Sequence, residues 1–291
     1  MQNSLEKIAS KLTSSISSSL SRCGLMFRTF TRVKSESSIK HKIEVKYAGK
    51  KVKIQDMIGI RIVAYFQDDV DALALYFSAG DVVKKSIDEY DSSTFRPQRL
   101  NITRRIPAEM KDEFLAALPE EYRDCIEPAY EIQIRTVFSE GWHEVEHDLR
   151  YKCQEDWAGC ETYSRALNGI IATLETAEWN MKAMFAAMAR DNFRYSNYTA
   201  MLRNKFHLKF KSDALSDCIT DYLKENTHIA EAVLNADRLI VVYTLLTHRA
   251  DFHLTYDNLM FLINRIEMMD PDFMAMEPEE TSSMITAFLN S

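Results

Sequence analysis

The chain has 291 residues, 46% of them hydrophobic, enough for one sizeable core and a second, smaller one. A formal net charge of −7 and a pI of 5.6 exclude a surface that gathers polyanions as a whole, so any anion site must be local. The five cysteines (Cys23, Cys125, Cys153, Cys160 and Cys218) are scattered and contain no Cys-x-x-Cys pair, which suggests neither a disulfide framework nor a zinc ribbon and fits a reducing cytoplasm.

Taken in chain order, residues 1–20 are too polar for a signal-peptide core or a membrane span, and an unexported, cytoplasmic protein without a membrane partner is expected. Leu5 to Phe27 reads as a Ser-rich helix and Ser35 to Lys46 as a second, basic one, followed by a turn or hairpin from Lys46 to Lys53. Basic residues crowd this region: Arg28, Arg32, Lys34, Lys40, Lys42, Lys46, Lys50, Lys51 and Lys53 face only Glu36 and Glu44. Met57 to Phe66 is a short apolar run of the buried-strand type, and Asp68 to Phe77 suits a helix. Further strands are expected at Val82 to Tyr90, Gln98 to Ile106 and Ala129 to Val137. The last two alternate by side, Leu100 and Ile102 against Asn101, Thr103 and Arg105, and Ile132 and Ile134 against Glu131, Gln133 and Arg135. Pro107 to Glu127 reads as a loop with a helical turn or two. Glu161 to Arg190 has apolar residues at spacings of three and four, an amphipathic helix closing a first domain of residues 1–190. Residues 191–291 carry few strand signals and no glycine, and an all-helical C-terminal domain is expected, with helices at Asp213 to Leu223, Ile229 to Thr247 and Tyr256 to Met268. The fold class is α+β, a mixed sheet flanked by helices and followed by a helical region.

Three constellations carry chemistry. Lys34, Ser38 and Lys42 recur every four residues, so on a helix two ammonium groups flank a hydroxyl on one face, a grip for a polyphosphate. Asp56 stands just before a buried strand and Arg61 inside it, where a charged side chain must be paired or point into a cleft. Glu131 is a second carboxylate on a later strand, and two carboxylates from adjacent strands suit Mg²⁺ with nucleotide phosphates. A rival pattern, His143-Glu144-Val145-Glu146-His147, matches the His-Glu-x-x-His of zinc peptidases. It needs a third ligand, for which Glu161, Glu175 or Glu178 would have to serve, and it leaves the other constellations unexplained.

Four ordered segments together resemble the synthetase domain of RelA/SpoT-type alarmone synthetases, above all its small single-domain members. They are Arg32-Val33-Lys34-Ser35-x-x-Ser38-Ile39-x-x-Lys42, Ile54-x-Asp56-x-x-Gly59-x-Arg61-Ile62, Glu131-Ile132-Gln133-Ile134-Arg135-Thr136 and Trp142-x-x-x-Glu146-His147-x-x-x-Tyr151-Lys152. The resemblance covers residues 5–190. It implies a nucleotidyltransferase-like fold and transfer of pyrophosphate from ATP to the ribose 3′-hydroxyl of GDP or GTP, giving (p)ppGpp. It further implies Arg32 and Arg61 on the adenine, Lys34, Ser38 and Lys42 on the phosphates, and Asp56 and Glu131 as catalytic acids and ligands of the Mg²⁺ cofactor. His147, Tyr151 and Lys152 brace the site, with His147 the one placed to touch ligand.

One segment of the family pattern is absent. Where alarmone synthetases carry a Gly-Tyr-x-Ser-x-His segment whose tyrosine stacks on the acceptor guanine, this chain has Ser93-Thr94-Phe95-Arg96-Pro97-Gln98-Arg99-Leu100-Asn101. Phe95 then becomes the candidate stacking face, and Arg96, Arg99 and Arg105, with Gln133 and His147, the candidate acceptor contacts. Alternative acceptors are an adenine nucleotide or the 3′ end of a tRNA, and a third reading is an inactive nucleotide-binding sensor, against which Asp56 and Glu131 both speak. For the C-terminal helices, homo-oligomerisation, partner binding and control of the site all stay open.

Overall fold

The computed structural model describes residues 2–43, 53–87, 100–248 and 250–291. The chain divides into two compact units, one formed by Met1–Ser18 with Phe27–Glu175, the other by Ser19–Met26 with Thr176–Ser291. The division falls between Glu175 and Thr176, inside the long helix that runs unbroken from Glu161 to Arg194 and also contains residue 190.

The first unit is built on five strands: β1 (Phe27–Val33), β2 (Ile58–Ala64), β3 (Val82–Ile87), β4 (Leu100–Arg105) and β5 (Ala129–Thr136), in the sheet order β1-β2-β5-β4-β3. Only β2 and β5 run parallel; the other neighbours are antiparallel. This is the mixed sheet expected, with one strand more. β1 escapes the sequence reading because it lies at a sheet edge and is largely exposed, so its alternation of Arg, Thr and Phe carries no apolar signal.

Side chains that face each other across paired strands share a sheet face. One face is apolar: Ile60, Ile62, Leu100, Ile102, Ile132 and Ile134 are all buried. Helix α1 (Gln2–Arg22) presents Leu5, Ile8, Leu12 and Ile16 at spacings of three and four, and its Thr13 hydroxyl meets that of Thr31 on β1 at 2.7 Å. The opposite face is polar and consists of two cross-strand rows. Arg32, Gly59, Glu131, Thr103 and Lys84 form the first; Phe30, Arg61, Gln133, Asn101 and Ser86 form the second.

The remaining helices depart from expectation in ways their caps explain. The basic helix α2 spans Glu36–Lys42, because Ser35 keeps extended backbone (φ −68°, ψ 153°) and caps Ser38 N–H; the residues after Ile43, with the expected turn, lie outside the described ones. Helix α3 (Gln67–Ser78) lies where expected. The segment expected as a loop with a helical turn or two forms α4 (Ala108–Ala117) and the single turn α5 (Glu120–Arg123), each preceded by a proline. Helix α6 (Val137–Glu146) follows β5 directly, its start fixed by a capping box between Thr136 and Ser139, and continues as a π-helical turn, His147–Tyr151. Helix α7 (Glu161–Arg194) begins beside it: Trp142 Nε1 donates to Leu167 O at 2.9 Å and Arg150 to Asn168 Oδ1 at 2.9 Å.

The second unit is all-helical, as expected. The single helix read at Ile229 to Thr247 is two, Thr227–Asn235 and Arg238–Thr247, because Ala236 is extended and Asp237 caps the second through Leu239 N–H. Segment Ser19–Met26 joins this unit by Lys209 N–H donating to Gly24 O at 2.7 Å. Gly24 has φ +70°, and a Cβ there would stand 2.9 Å from Lys209 O, which ends the first helix well before Phe27.

Ile132 is fully buried on β5, between β2 and β4. Ile132→Ala is expected to cost about 2–5 kcal/mol by urea unfolding, whereas Arg105→Ala, at an exposed strand end, should stay within about 0.5 kcal/mol of the native chain.

Candidate functional site

The polar sheet face is overhung by α6 and its π-helical extension, and three cavities open there. The largest, about 350 Å³, is lined by Phe30, Arg32, Gly59, Arg61, Gln133, Glu144, His147, Asp148 and Lys152. A second, about 300 Å³, has Arg32, Arg61, Asn101, Gln133, Arg135, His143, His147 and Tyr151 in its wall. The third, about 220 Å³, is lined by Lys42, Gln55, Asp56, Lys84, Ser86, Asn101, Thr103 and Glu131.

Asp56 is the electrostatic centre of the third cavity. Lys34 Nζ donates to its Oδ2 at 2.6 Å, and Lys42 Nζ lies 2.8 Å from both carboxylate oxygens. Lys34 comes from the end of β1 and Lys42 from the last turn of α2, so the expected stack of 34, 38 and 42 on one helical face does not form. Ser38 instead hydrogen-bonds Ser35 at 2.8 Å near the helix start. Burial pushes the Asp56 carboxyl upward, but its hydrogen bonds and charge pairing with Lys34 and Lys42 prevail and hold it below the usual carboxylate range. Burial also draws the Lys34 ammonium below its ordinary value; Asp56 opposes this, but the neighbouring Lys42 assists it. The two directions have one origin: two ammonium groups share a single carboxylate. The cluster keeps a surplus positive charge that a ligand's phosphates would neutralise.

Arg61 is pinned by its edges. Its Nε donates to Gln133 Oε1 at 3.1 Å, and its Nη1 to Glu140 Oε1 at 2.5 Å and to Glu144 Oε1. Glu140 is shared, its Oε2 accepting from Arg135 Nη1 at 2.9 Å. Burial lowers the Arg61 pKa, but Glu140 and then Glu144 more than reverse this, whereas Arg135 ends below the ordinary arginine value through burial and the charge of Arg61. A guanidinium held this way keeps its flat faces for stacking. Glu131 Oε1 accepts from Gln133 Nε2 at 2.6 Å, so the second row orients the first.

The sheet therefore gathers Arg32, Asp56, Arg61, Glu131 and Gln133 about these cavities, with Lys34 and Lys42 on Asp56. His147, Tyr151 and Lys152 line cavities as well as bracing the helix: the His147 ring stacks on Tyr151 at 5.7 Å and Lys152 pairs with Asp148 at 2.6 Å. Arg105 is not in any of the three walls; it lies 3.9 Å from Glu127. Phe95, Arg96 and Arg99 lie outside the described residues. Sequence reading missed Glu140 and Asp148 and met Glu144 only in the zinc-peptidase pattern, although a spacing of four carries the series on to Lys152 and puts it along one helical edge. The zinc-peptidase pattern fails: His143 is buried against Trp142, and among the described residues no group of three or more His, Cys, Asp or Glu could hold a metal ion. Among them, too, no helix is long and apolar enough to cross a membrane.

Because the Asp56 pKa is depressed in the folded chain, its pairing contributes stability that is present above the unfolded value of about 3.9 and lost as pH falls through the folded value. The difference in unfolding free energy between the native chain and Asp56→Asn, from urea titrations, should be flat between about pH 7 and 5 and shrink below about pH 4. A difference unchanged down to pH 3 would refute the pairing.

No curated protein matches the chain. Among solved structures, it resembles small alarmone synthetase 2 of Bacillus subtilis (22% identity over 63% of this chain and 92% of that one, TM-score 0.44). Similar likenesses hold for a GTP pyrophosphokinase family protein of Streptococcus pneumoniae (20%, 61% and 87%, TM-score 0.43) and for small alarmone synthetase 1 of Bacillus subtilis bound to its product pppGpp (20%, 62% and 91%, TM-score 0.44). The family model described as "Region found in RelA / SpoT proteins" matches residues 31–156, the segment that holds β2 to β5, α2 and the overhanging α6.

Proposed function

We propose that the chain transfers the β,γ-pyrophosphate of ATP to the ribose 3′-hydroxyl of an acceptor nucleotide, GDP or GTP, with AMP leaving. The observation that carries this reading is the convergence of Asp56, Lys42 and Glu131 on one cavity, beside another flanked by Arg32 and Arg61. Arg32 and Arg61 offer guanidinium faces to the purine of ATP. Lys34 and Lys42 exchange the Asp56 carboxylate for the phosphates, which answer their surplus charge. Glu131, oriented by Gln133, takes the proton of the 3′-hydroxyl as that oxygen bonds to the β-phosphorus, and the bond from that phosphorus to the α,β-bridging oxygen breaks. Such transfer needs alignment and charge neutralisation rather than covalent help from the protein.

Asp56 and Glu131 are hard oxygen donors on one cavity wall, a set that fits Mg²⁺, which takes one or two carboxylates and completes its shell with water and phosphate oxygens. When bound, the ion would neutralise phosphate charge. A second reading, the same donor chemistry aimed at an adenine nucleotide or a tRNA 3′ end, is favoured by the missing Gly-Tyr-x-Ser-x-His segment. The chain's net charge of −7 weighs against a large tRNA surface.

The test incubates the protein with Mg²⁺ and γ-labelled ATP alone or with GDP, GTP or deacylated tRNA. Label on the guanine nucleotide is expected; label on tRNA or an adenine nucleotide would support the second reading, and no transfer to any acceptor would sink both. Asp56→Asn and Glu131→Gln should each abolish AMP formation while unfolding cooperatively; wild-type turnover in either would refute its assigned role. At Gly59, an added Cβ would meet nothing closer than Arg32 O at 3.9 Å. Gly59→Ala should therefore leave stability equal or raise it by about 0.5–1 kcal/mol, yet weaken ATP binding in equilibrium titrations by narrowing the cavity between Arg32 and Glu131.

A further inference from the structure

Among the described residues, Asn101 is the one common to the walls of the second and third cavities, which places it between the arginine-flanked space and the Asp56–Glu131 space. It projects from the polar face of β4 opposite Gln133, one step diagonally from Glu131, which faces Thr103. Its side-chain oxygen is closed off from solvent and accepts no hydrogen bond from any described residue. An unsatisfied buried amide oxygen is uncommon and costs stability, so its retention beside reactive groups calls for a reason. Held this way, the amide gives up no bond to its oxygen by turning that oxygen toward the cavity.

We propose that Asn101 is a specificity-determining residue that accepts a hydrogen bond from the ribose 2′-hydroxyl of the acceptor nucleotide. The inference rests on the pyrophosphate-transfer reading and deepens it. Vicinal ribose hydroxyls are separated by about one hydrogen-bond length, and diagonal positions on neighbouring strands, about 7–8 Å apart, leave room for such a pair between their side chains. With the 3′-hydroxyl on Glu131, the 2′-hydroxyl falls to the polar face of the adjacent strand, where Thr103 stands directly opposite and Asn101 diagonally, and of the two it is Asn101 whose buried oxygen lacks a partner. The contact explains why an otherwise unpaired amide is kept: its partner arrives with the substrate. It selects a ribonucleotide over a 2′-deoxyribonucleotide whatever the base, and so does not depend on the missing tyrosine segment.

The experiment compares GDP with 2′-deoxy-GDP as acceptors of label from γ-labelled ATP, using the full chain and Asn101→Ala, with thermal unfolding of both proteins. The native chain is expected to favour GDP by about tenfold in kcat/KM, the value of one hydrogen bond. Asn101→Ala should lose about that factor with GDP and change little with 2′-deoxy-GDP. Its unfolding temperature should not fall, because the amide has no partner for its oxygen in the free protein; a residue kept for folding would show the opposite. A native chain that does not distinguish the two acceptors, or a variant that keeps the preference, overturns the inference alone. No transfer to either acceptor by the native chain overturns the reading beneath it, and the inference with it.

Discussion

The constraint on which the first unit depends is the two-residue period of a β-strand, applied to five strands whose registers agree. With Ile60, Ile62, Ile132 and Ile134 committed to the core, their neighbours in sequence are committed to the other face. Arg61 therefore stands beside Gln133, Glu131 beside Gly59, and Asn101 beside Gln133 without any further specification. A slip of one residue in β5 would bury Glu131 and Gln133 and expose two isoleucines. The hydrophobic core and the site are two sides of one register, and each fixes the other.

On that polar face, charge is stored in pairs. Lys34 and Lys42 rest on Asp56; Arg61 and Arg135 rest on Glu140, with Glu144 as a further partner for Arg61. A chain of net charge −7 can in this way keep a locally cationic cleft that is folded and hydrated without a ligand. The two clusters differ in kind. The lysines are flexible point charges, whereas Arg61, held by three hydrogen bonds from its Nε and Nη1, is a fixed plane.

Much of this was legible in the sequence. The alternation in 100–105 and 129–136 identified β4 and β5 and their faces, and the segments around Arg32, Asp56, Glu131 and His147 pointed to one site before any strand order was known. What escaped had physical causes. β1 is an edge strand with little buried surface, so periodicity could not reveal it. Lys34 was placed on a helix because its spacing to Ser38 and Lys42 fitted one, but Ser35 caps the helix and leaves Lys34 on extended chain. Asn101 and Arg135 could be read only as polar-face residues of their strands; it is pairing across strands that brings them to the cavities.

The parallel pairing of β2 with β5 joins Ile58 to Tyr130, a separation of 130 − 58 = 72 residues. All of β3, β4 and the helices between must be spanned before those two strands can meet, and closing a loop of that length consumes entropy before any pairing returns it. Asp56 and Glu131 flank this junction, so the cavity wall they share does not exist in a chain whose loop is still open. During synthesis the basic segment emerges before β5, and Asp56 has no Glu131 beside it until β5 has left the ribosome and docked. The polar cavity is therefore tied to the same event that closes the core: neither is complete before β2 and β5 have met.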